Sequence, residues 1–290
     1  MYKSLLQIED WAGRENRKSF YLAFLRVAIS VWLLKELLID WPDLTILYGS
    51  KSFLVRNDNI INGIPFFRAH YMILVYVFIV FIVLNILGIG RWMTALTLLI
   101  LSDIFQQLNP VMVNGGDKMA RLVILYMVFA NSYDYFVLYK SKPVKDPGKK
   151  RFINIVSNAA AYSLMLQLCI TYFCTGLGKL YNEVWRNGTA LYYAMSLNRF
   201  AGTAWNAYLV QNTFFVKTGT YFTLLFELTF PFLIWVKKCR MPLIIAGVIL
   251  HLAIYIFLML YGFEVVFILL LGLFFSNEDV LRFVNRFYKL

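Results

Sequence analysis

Cysteine, histidine and acidic side chains are scarce in this chain, and each scarcity removes a class of chemistry. Three cysteines cannot make a disulfide framework. Cys169 and Cys174 share one apolar run and Cys239 lies in a basic turn, so no CxxC or metal spacing exists and small apolar packing residues are the plain reading. Two histidines, His70 and His251, leave no HExxH. A P-loop, a GxSxG elbow and a carboxylate cluster with metal spacing are also missing, so no metal site is expected. Charge of either sign is low, at 15% of residues, and acidic residues number 16 against 28 basic ones. That excess forms no stripe beside a nucleic-acid-binding motif, which argues against nucleic acid as a partner. The first nineteen residues are too polar for a signal peptide, so the first apolar run is expected to direct insertion itself. No repeat of fixed period is visible, which weakens a transporter built from inverted halves.

Apolar surface is what the sequence has in abundance. At 60% hydrophobic residues and a mean hydropathy of +0.64, 290 residues hold more apolar area than one soluble core can hide. The expected fold class is an all-α integral membrane protein, a polytopic bundle of about eight transmembrane helices forming a single domain over 1–290. The candidate spans are 20–39, 70–89, 92–108, 118–138, 155–177, 219–236, 241–261 and 263–275. The last merges with its neighbour at Gly262, which leaves seven spans plus a re-entrant end as an alternative. "KSKPVKDPGKKR" (140–151) holds six cations and one anion, and "KKCR" follows at 237–240. With Arg14, Arg17, Lys18, Arg91, Arg282, Arg286 and Lys289, these clusters fall on one side if eight spans place both termini inside. The expectation is therefore a multi-pass protein of the plasma (inner) membrane with cytoplasmic termini. Loops 40–69, 109–117 and 178–218 then face outside, and "GTALYYAMSL" and "GTAWNAYLVQ" read as amphipathic surface helices.

Ionisable groups at membrane depth need a reason. Arg26, about 10 Å inside the first span, is expected to find a partner such as Asp103. Lys35 and Glu36 sit where they can snorkel. Glu227 lies about 12 Å below the outer end of the sixth span, and His251 falls near the middle of the seventh. His70, at a boundary, needs no role. In "NPVMVNGGDKMAR" (109–121), Pro110, Gly115 and Gly116 interrupt the helix and Asp117 is placed to cap the next one. A capped turn accounts for Asp117 but leaves Asn114 and Arg121 unexplained, so the loop is also a candidate binding element. Lys179, at the outer end of the fifth span beside aromatics, either snorkels to lipid phosphates or loses its proton and acts as a base.

"YFCTGLGKLYNEVWRNGTALYY" (172–193) carries a resemblance. Its Tyr172, Phe173, Gly176, Lys179, Leu180, Trp185, Gly188 and Tyr192 resemble the pattern of the HTTM (horizontally transferred transmembrane) family, which includes the vitamin K-dependent gamma-glutamyl carboxylases. Glu227, "KKCR", His251 and "NGGDKMAR" fit the order of that family's later elements. The resemblance implies a catalytic set of Lys179, His251 and Glu227, with Lys179 as the base. It implies a substrate-binding set of Asn114, Gly115, Gly116, Asp117, Arg121, Tyr172, Trp185 and Gly188, in a site facing outside. For a carboxylase it further implies a reduced quinone of the vitamin K type, with oxygen and carbon dioxide as co-substrates. No large portion is expected after the last span, and the size and "KLYNEVWRNGTALYY" are similar to the bacterial sporulation-delaying-protein B group. That likeness implies maturation of a secreted antimicrobial peptide or its precursor, with a small soluble protein partner and membrane lipid around the bundle. The residues alone leave the cofactor unknown. They also leave open a gamma-carboxylase and a non-enzymatic export, immunity or lipid-binding component.

Overall fold

The structure is a computed structural model that describes residues 2–50, 52, 59–140, 142–200, 202–280 and 282. Among them there is no strand; every regular element is a helix. They group into two compact units, 1–163 with 275–290, and 164–274.

In the first unit an amphipathic α1 (Tyr2–Arg14) precedes α2 (Ser19–Ile39), and short α3 (Leu44–Tyr48) and α4 (Pro65–Ala69) lead to α5 (Tyr71–Leu87), α6 (Trp92–Leu108) and α7 (Gly115–Phe129). Helix α2 packs on α5 and α7, and α6 on α5 and α7. The long α8 (Pro147–Tyr181) supplies its first half here. Asn154 donates to the Gly13 carbonyl and Asn158 to those of Ala12 and Glu15, so amide side chains satisfy the orphan carbonyls at the end of α1. Gly88 ends α5 in the left-handed conformation (φ 72°), with the Ile89 amide donating back to Leu84 at 2.9 Å.

Two expectations fail in this unit for one reason. The fourth span was expected over 118–138, but its helix stops at Phe129. Arg26 was expected to find a partner, with Asp103 one candidate, but its buried guanidinium donates to the carbonyls of Ser132 (3.1 Å), Asn85, Ile86 (3.1 Å), Tyr135 (3.3 Å) and Phe136 (2.6 Å). The Ser132, Tyr135 and Phe136 carbonyls thus face an arginine instead of the helical amide four residues on, and the same cation meets the negative end of α5. Asp103 instead pairs with Arg121, both side chains half exposed.

The second unit holds the end of α8, then α9 (Glu183–Arg186), α10 (Ala190–Ser196), α11 (Asn206–Leu209), α12 (Thr213–Leu233), α13 (Lys237–Leu258) and α14 (Tyr261–Leu271). The two stretches read as amphipathic helices are helical, as α10 and the single turn α11. "KKCR" is the first turn of α13 rather than a loop. Helix α12 packs on α13, α13 on α14, and α10 on α12 and α13. Two helices, α8 and α13, are long and apolar enough to cross a membrane, while α5, α6 and Tyr261–Phe274 are apolar but shorter.

Candidate functional site

The second unit brings five polar side chains into an aromatic interior. Gly176 sets the spacing: a Cβ there would lie 3.0 Å from the Leu228 side chain and 3.2 Å from the Glu227 Cβ. The small residue lets α12 approach α8 one turn before Lys179. Lys179 therefore meets Glu227 in a direct ion pair, with 24% and 10% of the two side chains exposed. The Trp185 ring, from α9, lies under the same ammonium with its centroid 4.7 Å from Nζ, a cation–π contact.

A second chain of groups lies deeper. The Tyr172 hydroxyl is 2.6 Å from His251 Nε2, and His251 Nδ1 bonds the Glu264 carboxylate. With Glu264 ionised, its carboxylate only accepts, so Nδ1 donates to it and Nε2 is left to accept from the tyrosine hydroxyl. Glu264 is fully buried and His251 nearly so. Phe230, Phe226 and Phe267 surround the Tyr172 ring at 4.8, 5.4 and 5.8 Å, and His251 stacks on Phe267 at 5.2 Å. Glu227 Oε2 and Glu264 Oε1 each have a lone-pair face with no protein donor. One oxygen of each carboxylate is thus held by the protein and the other is open to a proton.

The predicted residues divide between the units. Lys179, Glu227, His251, Tyr172, Trp185 and Gly188 belong to the second, where Lys179 pairs with Glu227 and His251 bonds Tyr172 and Glu264 instead. Gly188 is a turn residue: φ is 73° and a Cβ would sit 3.0 Å from the Tyr221 ring, whose hydroxyl donates to the Arg186 carbonyl. Asn114, Gly115, Gly116, Asp117 and Arg121 belong to the first. Asn114, not Asp117, is the N-cap of α7. Its side chain accepts from the Gly116 and Asp117 amides, and Asp117 accepts back from the Asn114 amide at 2.8 Å, a reciprocal capping box. Arg121 is used by Asp103.

Sequence reasoning missed Glu264. The only signal was an acidic residue next to the run "VVFILLL", at the junction where two apolar segments merge. Among the described residues no group of three or more metal-ligating side chains is placed to hold an ion. Comparison with models of known protein families, with curated proteins and with solved structures returned no match.

Proposed function

We propose that this chain is a multi-pass membrane protein whose 164–274 unit performs proton-transfer chemistry in the maturation of a secreted peptide. The observation that supports a membrane setting most directly is the inversion of polarity across the helices. Ile245, Ile249, Leu252 and Ile256 form an exposed stripe on α13 while His251 on the same helix is buried; Val80 and Val83 of α5 are likewise exposed. Water would penalise that arrangement and hydrocarbon favours it. In this reading about eight helical segments cross or enter the bilayer, both termini are cytoplasmic, and Lys179 faces outside.

For the chemistry, the supporting observation is the Lys179–Glu227 pair beside Trp185. In a low-dielectric interior a proton shift along the pair yields a neutral amine and a neutral acid, the form in which Lys179 acts as a base. Trp185 shields one face of the amine from water. The Tyr172–His251–Glu264 chain holds a second movable proton on the same bundle. A reduced quinone, the cofactor the resemblance implies, needs an apolar wall and an acceptor for its hydroxyl, and Trp185 with the free Glu227 Oε2 fits those needs. When bound, it would supply the reducing electrons that this chain's own side chains lack.

Lys179→Arg tests the base role, because guanidinium keeps the charge and the pair with Glu227 but does not give up its proton. The expected outcome is loss of the mature secreted peptide by mass spectrometry, with normal amounts of protein in the membrane. Full activity would instead leave the pair as a structural lock in a non-enzymatic component. Topology is tested by impermeant thiol labelling of Asp146→Cys and Asn187→Cys in a cysteine-free background. Intact cells should label position 187 and not position 146; the reverse pattern inverts the assignment.

A further inference from the structure

The first unit contains a second polar concentration, independent of Lys179 and its chemistry. A cavity of about 190 Å³ opens among the C-terminal ends of α2 and α6 and the start of α7. A single water needs roughly 10–15 Å³, so the space admits a ligand of many atoms. Glu36, Asp40 and Asp117 line it, and among the described residues no lysine, arginine or histidine does. Trp32, Tyr48, Phe78 and Phe105 supply apolar walls.

Three further lining side chains have polar atoms that find no partner among the described residues: Trp32 Nε1, Ser102 Oγ, and both amide atoms of Asn109. Their residues are 5%, 4% and 2% exposed, so these groups are cut off from bulk solvent yet border a cavity. Buried polar atoms are normally satisfied, and such a cluster around one space marks a place prepared for a polar guest.

The charges decide which guest. Asp40 caps α2 and has no ion-pair partner among the described residues, and burial, then the charges of Glu36, Asp117 and Asp43, push its carboxyl above the usual range. Lys35 is engaged with Glu36 at 2.7 Å, and Arg121 with Asp103. The carbonyl ends of α2 and α6 add negative potential, whereas the positive start of α7 is already covered by its own capping box. An entering cation would therefore relieve a repulsion the fold maintains. No group of three metal-ligating side chains is placed to chelate an ion among the described residues, and the aromatic walls suit a cation that carries carbon.

We propose that this cavity binds an organic ammonium group attached to an aromatic or aliphatic body, with Asp40 as its principal counter-charge and Asn109 and Ser102 as its hydrogen-bond partners. The ammonium belongs either to a free amine or to the N-terminus of a peptide.

The test is calorimetric titration of the purified full chain in nanodiscs with phenethylammonium and with 2-phenylethanol, its neutral counterpart. Saturable binding of the ammonium, with the alcohol about tenfold or more weaker, is expected, since one favourable charge contact is worth about that factor. Asp40→Asn should weaken the ammonium by a similar factor while leaving the alcohol unchanged. A Phe-Gly-Gly peptide with a free N-terminus that binds more tightly than phenethylammonium, and fails when acetylated, assigns the site to peptide. Binding of phenethylammonium without the peptide assigns it to a free amine; both results support the proposal. Equal binding of ammonium and alcohol, no saturable binding of the ammonium, or unchanged affinity in a folded Asp40→Asn would overturn it. Should Asp40→Asn not fold, the ammonium-versus-alcohol comparison on the unaltered chain decides alone.

Discussion

Removing a single oxygen, in Tyr172→Phe, tests the inner relay. The ring keeps its contacts with Phe226, Phe230 and Phe267, so no cavity opens. What disappears is the 2.6 Å bond to His251 Nε2. Tyr172 is 2% and His251 3% exposed, so water does not replace the lost donor. A buried acceptor left unsatisfied costs about 1–3 kcal/mol, and that is the expected loss in thermal or denaturant unfolding of the purified protein. Tyr172→Ala adds a cavity and should cost roughly 3–5 kcal/mol, so the two variants separate the bond from the packing. The chain has only two histidines, so ¹⁵N-histidine NMR in a His70→Gln background reports His251 alone. The unaltered chain should show a neutral ring protonated at Nδ1, and Tyr172→Phe should move the Nε2 resonance. A Phe variant of unchanged stability with an unmoved Nε2 signal would refute the relay.

Two further outcomes follow from the first unit. Arg26→Met strips the donors from a set of carbonyls buried around one guanidinium, and each buried acceptor left unsatisfied costs about 1–3 kcal/mol. Hydrogen exchange should rise first over 130–138, and unaltered exchange there would show that the arginine does not hold the segment. Asp103→Asn should cost under about 1 kcal/mol, because its pair with Arg121 is half exposed; a loss several times larger would mean the carboxylate does more than that pair suggests.

Glu227 and His251 were legible in the sequence because a polar residue in an apolar run stands out against hydrocarbon-compatible neighbours. Their partners were not. Lys179 and Glu227 are 48 residues apart, and nothing local tells which face of a helix meets which. Glu264 hid at a junction between segments. The turn before α7 was readable from Pro110 and the glycine pair, yet the N-cap fell on Asn114 because its side-chain oxygen reaches two amides at once. Arg26 went to the wrong partner because its real partners are main-chain carbonyls, which no side-chain pattern announces. The long fourth span failed with it, since composition alone cannot distinguish a helix from an apolar segment whose carbonyls are claimed elsewhere.

The arginine that gathers those carbonyls also sets a schedule for synthesis. Phe136 lies 110 residues after Arg26, so at about 5–20 residues per second the ribosome delivers it roughly 5–20 s later. The Asn85 and Ile86 carbonyls come first, 59 and 60 residues after Arg26, and until Phe136 follows the α2 guanidinium holds only part of its set. Closure takes longer still: Asn277 donates to the Asn16 carbonyl, 261 residues upstream, and Lys18 to that of Phe275. The 164–274 unit is therefore complete in the nascent chain before the unit that brackets it is sealed. A translational pause or truncation between residues 137 and 275 should leave the first helices exposed to quality-control proteases while the later bundle is still absent or only partly made.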